Sequence, residues 1–334
     1  MKEIQFVAPG KAALVERELP EMKENEVLIK TLYTVVSAGT EKANVLDLPN
    51  TAVYGKFPKV EGYAGIGIVE QIGSLVTKVK VGDRVLVYHG THAQYSIRPE
   101  THIYPVHEDI PDVWGPFAVV GAMGLGGLRK AELELGESAM VMGLGLLGMF
   151  ALQCAAWSGA CPLIAADLNP ERRALALKLG ADYAFDPAEP DFVEKVKAVT
   201  RGQGVNVIVE VTGAAVALEQ ALDCVARQGR IALNGCTRVS DCHVDYYRQV
   251  HCPGVKLIGA HNMVRPKVDS YPHYWTNEAD CLALVRLMEK GKIQVDPILS
   301  TVASPEQCEE IYDRLCKDKR FPLGVVFDWK NYQG

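Results

Sequence analysis

Three glycines, spaced as Gly143-Leu144-Gly145-Leu146-Leu147-Gly148, stand between an apolar run, Ser138-Ala139-Met140-Val141-Met142, and an alanine-rich stretch, Met149 to Trp157. That spacing suits a phosphate-bearing ligand. The first glycine permits a tight turn, the second lets the backbone approach a pyrophosphate, and the third lets a helix pack closely on the strand before it. The opening turn of that helix, at Leu146 and Leu147, then presents free N–H groups to the phosphates. A second apolar run, Pro162-Leu163-Ile164-Ala165-Ala166, ends at Asp167, 19 positions after Gly148. A carboxylate there accepts hydrogen bonds from both hydroxyls of an adenosine ribose and repels a 2′-phosphate. The pattern therefore points to a nicotinamide dinucleotide and favours NAD over NADP. Leu168 borders the same ribose, while Arg172 and Arg173 keep NADP open. A doubly wound domain whose glycine turn holds nothing is the competing reading.

Positioning such a turn requires alternating strands and helices. From about Val113 the chain supplies them: a small-residue helix over 116–130, then strands at 138–142, 162–166, 205–210 and 229–234, with helices at 149–157, 170–179 and 214–225. Units of this length predict a parallel, doubly wound sheet. Residues 1 to about 115 differ. Short β-like runs such as Glu26–Thr31, Gly65–Val69 and Arg84–Tyr88, punctuated by Gly, Pro and Asp, predict a compact, barrel-like β-rich domain. The last stretch carries an amphipathic helix at 277–290 and a strand-like run at 321–327 that is expected to return to the first domain. The domains expected are thus 1–115, completed by 270–334, and 116–269.

Composition narrows the field. The chain has 334 residues, enough for two cores, and is 48% hydrophobic and 23% charged, as ordinary globular proteins are. A net charge of −6 with no dense basic run argues against a nucleic-acid partner. The N-terminus lacks a basic then apolar leader, and the apolar stretch Ala139 to Ala156 is broken by glycines, so no membrane partner is expected and the expected location is the cytosol. Nine scattered cysteines without a C-x-x-C predict reduced thiols. The tightest group, Cys236, Cys242, His243, His251 and Cys252, matches no common zinc spacing.

Taken in order, Gly62-x-x-Gly65-x-Gly67-x-Val69, Val81-Gly82-Asp83-Arg84-Val85, the fingerprint with Asp167, and Glu210-Val211-Thr212-Gly213 make the chain resemble the medium-chain dehydrogenase/reductase superfamily from about Val27 to Asp328. That superfamily includes zinc alcohol dehydrogenases, polyol dehydrogenases and zinc-free quinone reductases. The resemblance implies a GroES-like first domain, a Rossmann domain, Val211, Thr212 and Gly213 at the cofactor, and a homodimer or homotetramer. The run Ser37-Ala38-Gly39-Thr40-Glu41 further resembles the branch containing hydroxyethyl-bacteriochlorophyllide dehydrogenase.

The departures bear on chemistry. Where zinc members carry a ligand cysteine this chain has Ala38. Where they carry Gly-His-Glu it has Gly62-Tyr63-Ala64, and the third ligand region reads Val119-Val120-Gly121-Ala122. A catalytic zinc needs three protein ligands and an open position, so no metal is expected. Hydride transfer at an alcohol still needs a proton acceptor and something to hold the developing oxyanion. Thr40 matches the family's relay hydroxyl, with a strand-end structural threonine as the alternative. Glu41 is placed to orient Thr40 or the site backbone, or to serve the core. Tyr63 puts a phenol where the ligand histidine would stand, or simply fills that space. His92, beside His89 and just after the strand ending at Tyr88, is a candidate base. So is His261, which precedes the polar and aromatic stretch Asn262 to Trp275. That stretch suits a hydroxylated ring, or forms a surface or inter-subunit loop. The leading expectation is NAD(P)-dependent hydride transfer at a secondary alcohol or ketone of a polyol, sugar or ring-bearing small molecule. A zinc-free quinone or enone reductase is the alternative, and a cofactor-binding protein without chemistry is a third.

Overall fold

The short apolar runs of the N-terminal part become strands because each buries most of its apolar side chains. The longest, Glu26–Val35, buries seven of its ten residues, including Val27, Ile29 and Val35. It pairs antiparallel with Ala64–Ile72, Tyr95–Pro99 and Gly324–Asp328. The sheet runs Leu299–Ala303, Gly324–Asp328, Glu26–Val35, Ala64–Ile72, Arg84–Tyr88, Ile103–Pro105. A smaller sheet holds Lys11–Glu16, Lys2–Ala8 and Lys59–Val60. The returning C-terminal strand is therefore present, at Gly324–Asp328, and it completes the first unit's sheet.

In this computed structural model, which describes residues 1–332, that unit comprises Met1–Val120 and the chain from Cys281 onward, while Gly121–Asp280 forms a second. The second unit is a six-stranded sheet in the order Tyr183–Phe185, Leu163–Ala166, Ala139–Met142, Val205–Glu210, Val225–Leu233, Lys256–Gly259, parallel throughout. The architecture is GroES-like plus Rossmann, as the sequence implies. The strand Val205–Glu210 is central and almost wholly buried, which explains the apolar run Val207–Val209 within it. Helix Pro170–Lys178 starts where Asn169 caps it, its side chain accepting from the Glu171 and Arg172 N–H groups at 2.8 and 3.2 Å, with proline in the first turn.

Sequence reading puts the divisions at 115/116 and 269/270; the structure puts them at Val120/Gly121 and Asp280/Cys281. The reason lies in packing. Helix Gly115–Lys130 is continuous, and its first turn lies against Ile66, with Phe117 against Gly324. At the other end Arg265 is ion-paired to Asp280 at 2.5 Å, which ties the stretch after 262 into the second unit. A further difference concerns Thr40, which lies in the first turn of helix Ala38–Val45 and not at a strand end. All nine cysteines are free thiols. Among the described residues no group of three or more His, Cys, Asp or Glu is placed to hold a metal, and no helix is long and apolar enough to cross a membrane.

Candidate active site

The fingerprint turn is built by close approach. Gly143 has φ +91°, and a Cβ there would stand 2.6 Å from the Thr212 methyl; a Cβ on Gly148 would stand 1.9 Å from the Gly143 carbonyl oxygen. Only glycine meets both conditions. Gly145 is the N-cap of helix Leu146–Trp157 and faces open space, and no side chain caps the helix. The N–H groups at Leu146 and Leu147 are thus left to an anion. Asp167 follows strand Leu163–Ala166. Its Oδ2 accepts from the Leu144 N–H at 2.6 Å and its Oδ1 from the Asn169 N–H at 2.7 Å. Each oxygen keeps a second lone pair for a ribose hydroxyl. Leu168, exposed, and Arg172, half-buried, follow it. Arg173 is committed elsewhere, donating to the Asp167 carbonyl at 2.7 Å and to Asp186 at 2.9 Å. Opposite the fingerprint, the buried Glu210 carboxylate accepts from the N–H of Thr212 at 2.6 Å, from Gly213 at 3.1 Å, and from the Thr212 hydroxyl, which fixes the Val211–Gly213 turn. Burial raises the Glu210 carboxyl above its ordinary range, against those hydrogen bonds. These residues fit a dinucleotide.

The first unit gathers Thr40, Glu41, Tyr63 and His92, but gives them different exposure. Tyr63 is half-buried and its hydroxyl donates to Ser37 Oγ at 2.5 Å. Ser37 is the N-cap of helix Ala38–Val45, yet its hydroxyl caps nothing there and is left to Tyr63. The Thr40 hydroxyl, half-buried three residues on, makes no side-chain hydrogen bond among the described residues, so it is free for a ligand. Tyr63 and Ser37 are thus two hydroxyls joined by a hydrogen bond, and Thr40 is a third on the first turn of the helix that Ser37 precedes.

Beneath them lies a closed polar hub. Glu41 is wholly buried; its Oε1 accepts from the Ser37 N–H at 2.8 Å, while its Oε2 accepts from the Tyr312 hydroxyl at 2.6 Å and lies 3.2 Å from His92 Nε2. His92 Nδ1 is 2.7 Å from Thr34 Oγ1, which accepts from Trp329 Nε1 at 3.0 Å. The Nε2–H tautomer satisfies this whole chain of donors. Burial, then the Glu41 charge, pushes the Tyr312 phenol well above its ordinary pKa. His92 therefore departs from its expectation as a base: its ring is fully enclosed and both nitrogens are engaged, leaving none for a substrate proton. Glu41 touches the Ser37 backbone, not Thr40, and holds the site from behind.

Glu61, 8% exposed, adjoins this hub and accepts from Asn44 Nδ2 at 2.9 Å. Burial, then the neighbouring Glu41 charge, raises its carboxyl from 4.5 to about 7. The folded chain thus binds a proton that the unfolded chain has released. The Glu61 contribution to stability is fully present below pH 4.5 and is lost as pH rises through 7, by roughly 1.4 kcal/mol per pH unit inside that window. Glu61→Gln removes the penalty, so its Tm should rise relative to the parent at pH 8 and hardly at pH 5. Equal shifts at both pH values would contradict this assignment.

His261 lies in the second unit. It is exposed, its Nδ1 accepts from the Met263 N–H at 3.2 Å, and its Nε2 has no partner among the described residues. The aromatic stretch after it is an exposed turn in which Tyr271 and Tyr274 stack at 5.1 Å, anchored by Arg265 on Asp280. Sequence reasoning missed Ser37 as the partner of Tyr63, and Thr34, Glu61, Tyr312 and Trp329. Ser37 alone carried a signal, as a hydroxyl one residue before the vacated cysteine position.

A zinc ion does not fit the residues at the ligand positions. Ala38 offers a methyl group, Tyr63 a phenol already donating to Ser37, and Val119, Val120 and Ala122 are buried apolar side chains.

Comparison with known proteins accords with this arrangement. Residues 23–131 match the family described as alcohol dehydrogenase GroES-like domain, and residues 147–262 match that described as zinc-binding dehydrogenase. The L-threonine 3-dehydrogenase of Pyrococcus horikoshii is 31% identical over 332 residues, covering 90% of each chain. The D-guloside 3-dehydrogenase of Escherichia coli is 27% identical, covering 98% of this chain and all of the relative. Among solved structures, galactitol-1-phosphate dehydrogenase from Escherichia coli superposes with a TM-score of 0.85 at 20% identity, covering 98% of this chain and 100% of that one.

Proposed function

The chain belongs to the zinc-type alcohol dehydrogenase-like superfamily as an NAD(P)-dependent oxidoreductase related to threonine and polyol dehydrogenases, and we propose that it works there without zinc, on a secondary alcohol or ketone of a polyol, sugar or ring-bearing substrate. The observation that carries this reading is the Tyr63–Ser37 hydrogen bond, 2.5 Å long, which joins a phenol at one vacated ligand position to a hydroxyl one residue before the other, Ala38. A bound dinucleotide supplies the hydride chemistry. The second unit binds it, with the amides at Leu146 and Leu147 on the pyrophosphate and Asp167 on the ribose, which favours NAD. The first unit handles the proton. Tyr63 and Thr40 hydrogen-bond the substrate oxygen, Ser37 Oγ accepts the Tyr63 O–H and so orients the phenol, and Glu41 holds the Ser37 backbone still. His261 Nε2 is a second candidate for the proton.

Relatives named for oxidation at carbon 3 of threonine and of a guloside support CH–OH chemistry over enone reduction. The likeness of Ser37–Glu41 to the hydroxyethyl-bacteriochlorophyllide branch makes a ring-bearing secondary alcohol one member of the substrate class. Assembly as a homodimer or homotetramer belongs to the same reading. A turnover panel tests it: NAD reduction with polyols, sugars and aryl carbinols, and NADPH oxidation with enones and quinones. Turnover in the first arm is expected. Turnover confined to the second would overturn the assignment.

A further inference from the structure

Helix Gly115–Lys130 ends on a lysine that has no anion to answer it. Lys130 is 5% exposed, and its only polar partner among the described residues is the His261 carbonyl, at a long 3.4 Å. No carboxylate pairs with it. Burial, then the like charge of Arg265, lowers its ammonium from 10.5 to about 8. A desolvated ammonium without a counter-charge is costly to keep, and an anionic ligand would offset that cost.

A second donor is stranded nearby. Nδ2 of Asn234, 9% exposed, has no partner. Its amide lies against Gly127, one helical turn before Lys130, within 3.3 Å of where a Cβ would stand. Ala131, next along, packs with Ala232 and Ala260. Asn234 directly follows strand Val225–Leu233, and His261, whose carbonyl meets Lys130, follows strand Lys256–Gly259 after Ala260. Asn234 and the Lys130 partner thus sit at the carboxyl ends of neighbouring parallel strands, the edge on which doubly wound sheets receive ligands.

The surrounding charges leave the place positive. Arg129 lies on the same helix, and Arg265 on the segment after His261. The fully buried Asp280 serves both, accepting from Arg129 Nε at 2.7 Å and from Arg265 Nη1 at 2.5 Å. The Arg129 guanidinium also stacks on Trp275 at 3.6 Å, and with Lys130, Arg265, His273 and Asp280 it lines a small cleft, while Glu132 lies with Arg129 and His273 on a neighbouring cavity of about 150 Å³. Two arginines share one carboxylate, Lys130 has only a distant carbonyl, and Asn234 Nδ2 has no acceptor among the described residues.

We propose that Lys130 and Asn234 form an oxyanion-binding site that takes the carboxylate or phosphate group of an acidic substrate alcohol. This names the substrate class for the dehydrogenase reading and rests on it. Anion binding is measured calorimetrically on the chain saturated with NADH, which fills the anion site at the fingerprint helix. Sulfate stands in for phosphate and acetate for carboxylate, and neither gains or loses a proton between pH 7 and 9. One anion per chain is expected, and whichever binds more tightly identifies the group. Affinity should fall about tenfold from pH 7 to pH 9 as Lys130 loses its proton. Lys130→Met should abolish binding without lowering Tm, and Asn234→Ala should weaken it by roughly 3- to 10-fold. Failure of both anions to bind the parent, or binding unchanged in both variants, or no change with pH, overturns the proposal. NADH fluorescence in the same samples reads the cofactor half alone. Intact NADH binding without anion binding overturns only the oxyanion site, whereas loss of NADH binding overturns the dinucleotide reading.

Discussion

Tyr63→Phe is expected to lower kcat by about 10²- to 10³-fold while leaving the Kd for NADH within about twofold. The substitution removes one oxygen and nothing else. The ring, half-buried between strand Lys59–Val60 and strand Ala64–Ile72, keeps its packing, so the loss reads the hydroxyl alone. Ser37→Ala should follow at a smaller loss, about tenfold, because it removes the acceptor of the Tyr63 hydroxyl but not the hydroxyl itself. It should leave helix Ala38–Val45 intact, since the Ser37 hydroxyl does not cap it. A Tyr63→Phe enzyme that turns over within threefold of the parent would show that Tyr63 only fills space.

Asp167→Ala should weaken NAD by about 100-fold and NADP by no more than about tenfold, consistent with the loss of two charge-assisted hydrogen bonds from the ribose hydroxyls. The structure adds a term that the motif alone does not contain. The same carboxylate holds the Leu144 and Asn169 amides at 2.6 and 2.7 Å, so its removal also loosens the fingerprint turn. NADP binding should therefore fall as well, and not improve. Arg173 does not compensate, because Asp186 and the Asp167 carbonyl already hold it. Asp167→Asn, which keeps one acceptor oxygen and sets an NH2 group against the other amide, should recover part of the turn and little of the NAD preference. Fluorescence titration with NADH and NADPH decides this, and equal losses for the two cofactors would remove Asp167 from the ribose.

The dinucleotide half was legible because its determinants are local. Gly143 to Gly148 sit on one turn, and Asp167 ends the very next strand, so spacing alone places them. The proton-handling half depends on contacts that the chain makes across long intervals. Tyr63 meets Ser37 across 26 positions, His92 meets Thr34 across 58, and Tyr312 meets Glu41 across 271. Residue types told that ligands were missing from Ala38 and Tyr63, but not what the vacated hydroxyls would do. His92 shows the limit most plainly. Its position just after a strand end made it a candidate base, yet the Phe327 ring packs edge-on against it at 5.2 Å and Trp329 closes the chain of donors behind Thr34. Both come from the C-terminal segment, whose return could be anticipated while its exact contacts could not. The domain limits shifted for a similar reason: helix Gly115–Lys130 has no internal break, so composition could not show where along it the packing changes.

The central claim is that this member of a zinc-named family runs its chemistry on hydroxyl groups. Elemental analysis of turnover-competent protein, purified without chelator in zinc-supplemented medium, tests that most directly. The account predicts zinc far below one ion per chain, with turnover unchanged after dialysis against a strong chelator. One zinc per chain, lost together with activity and restored with it, would contradict the account.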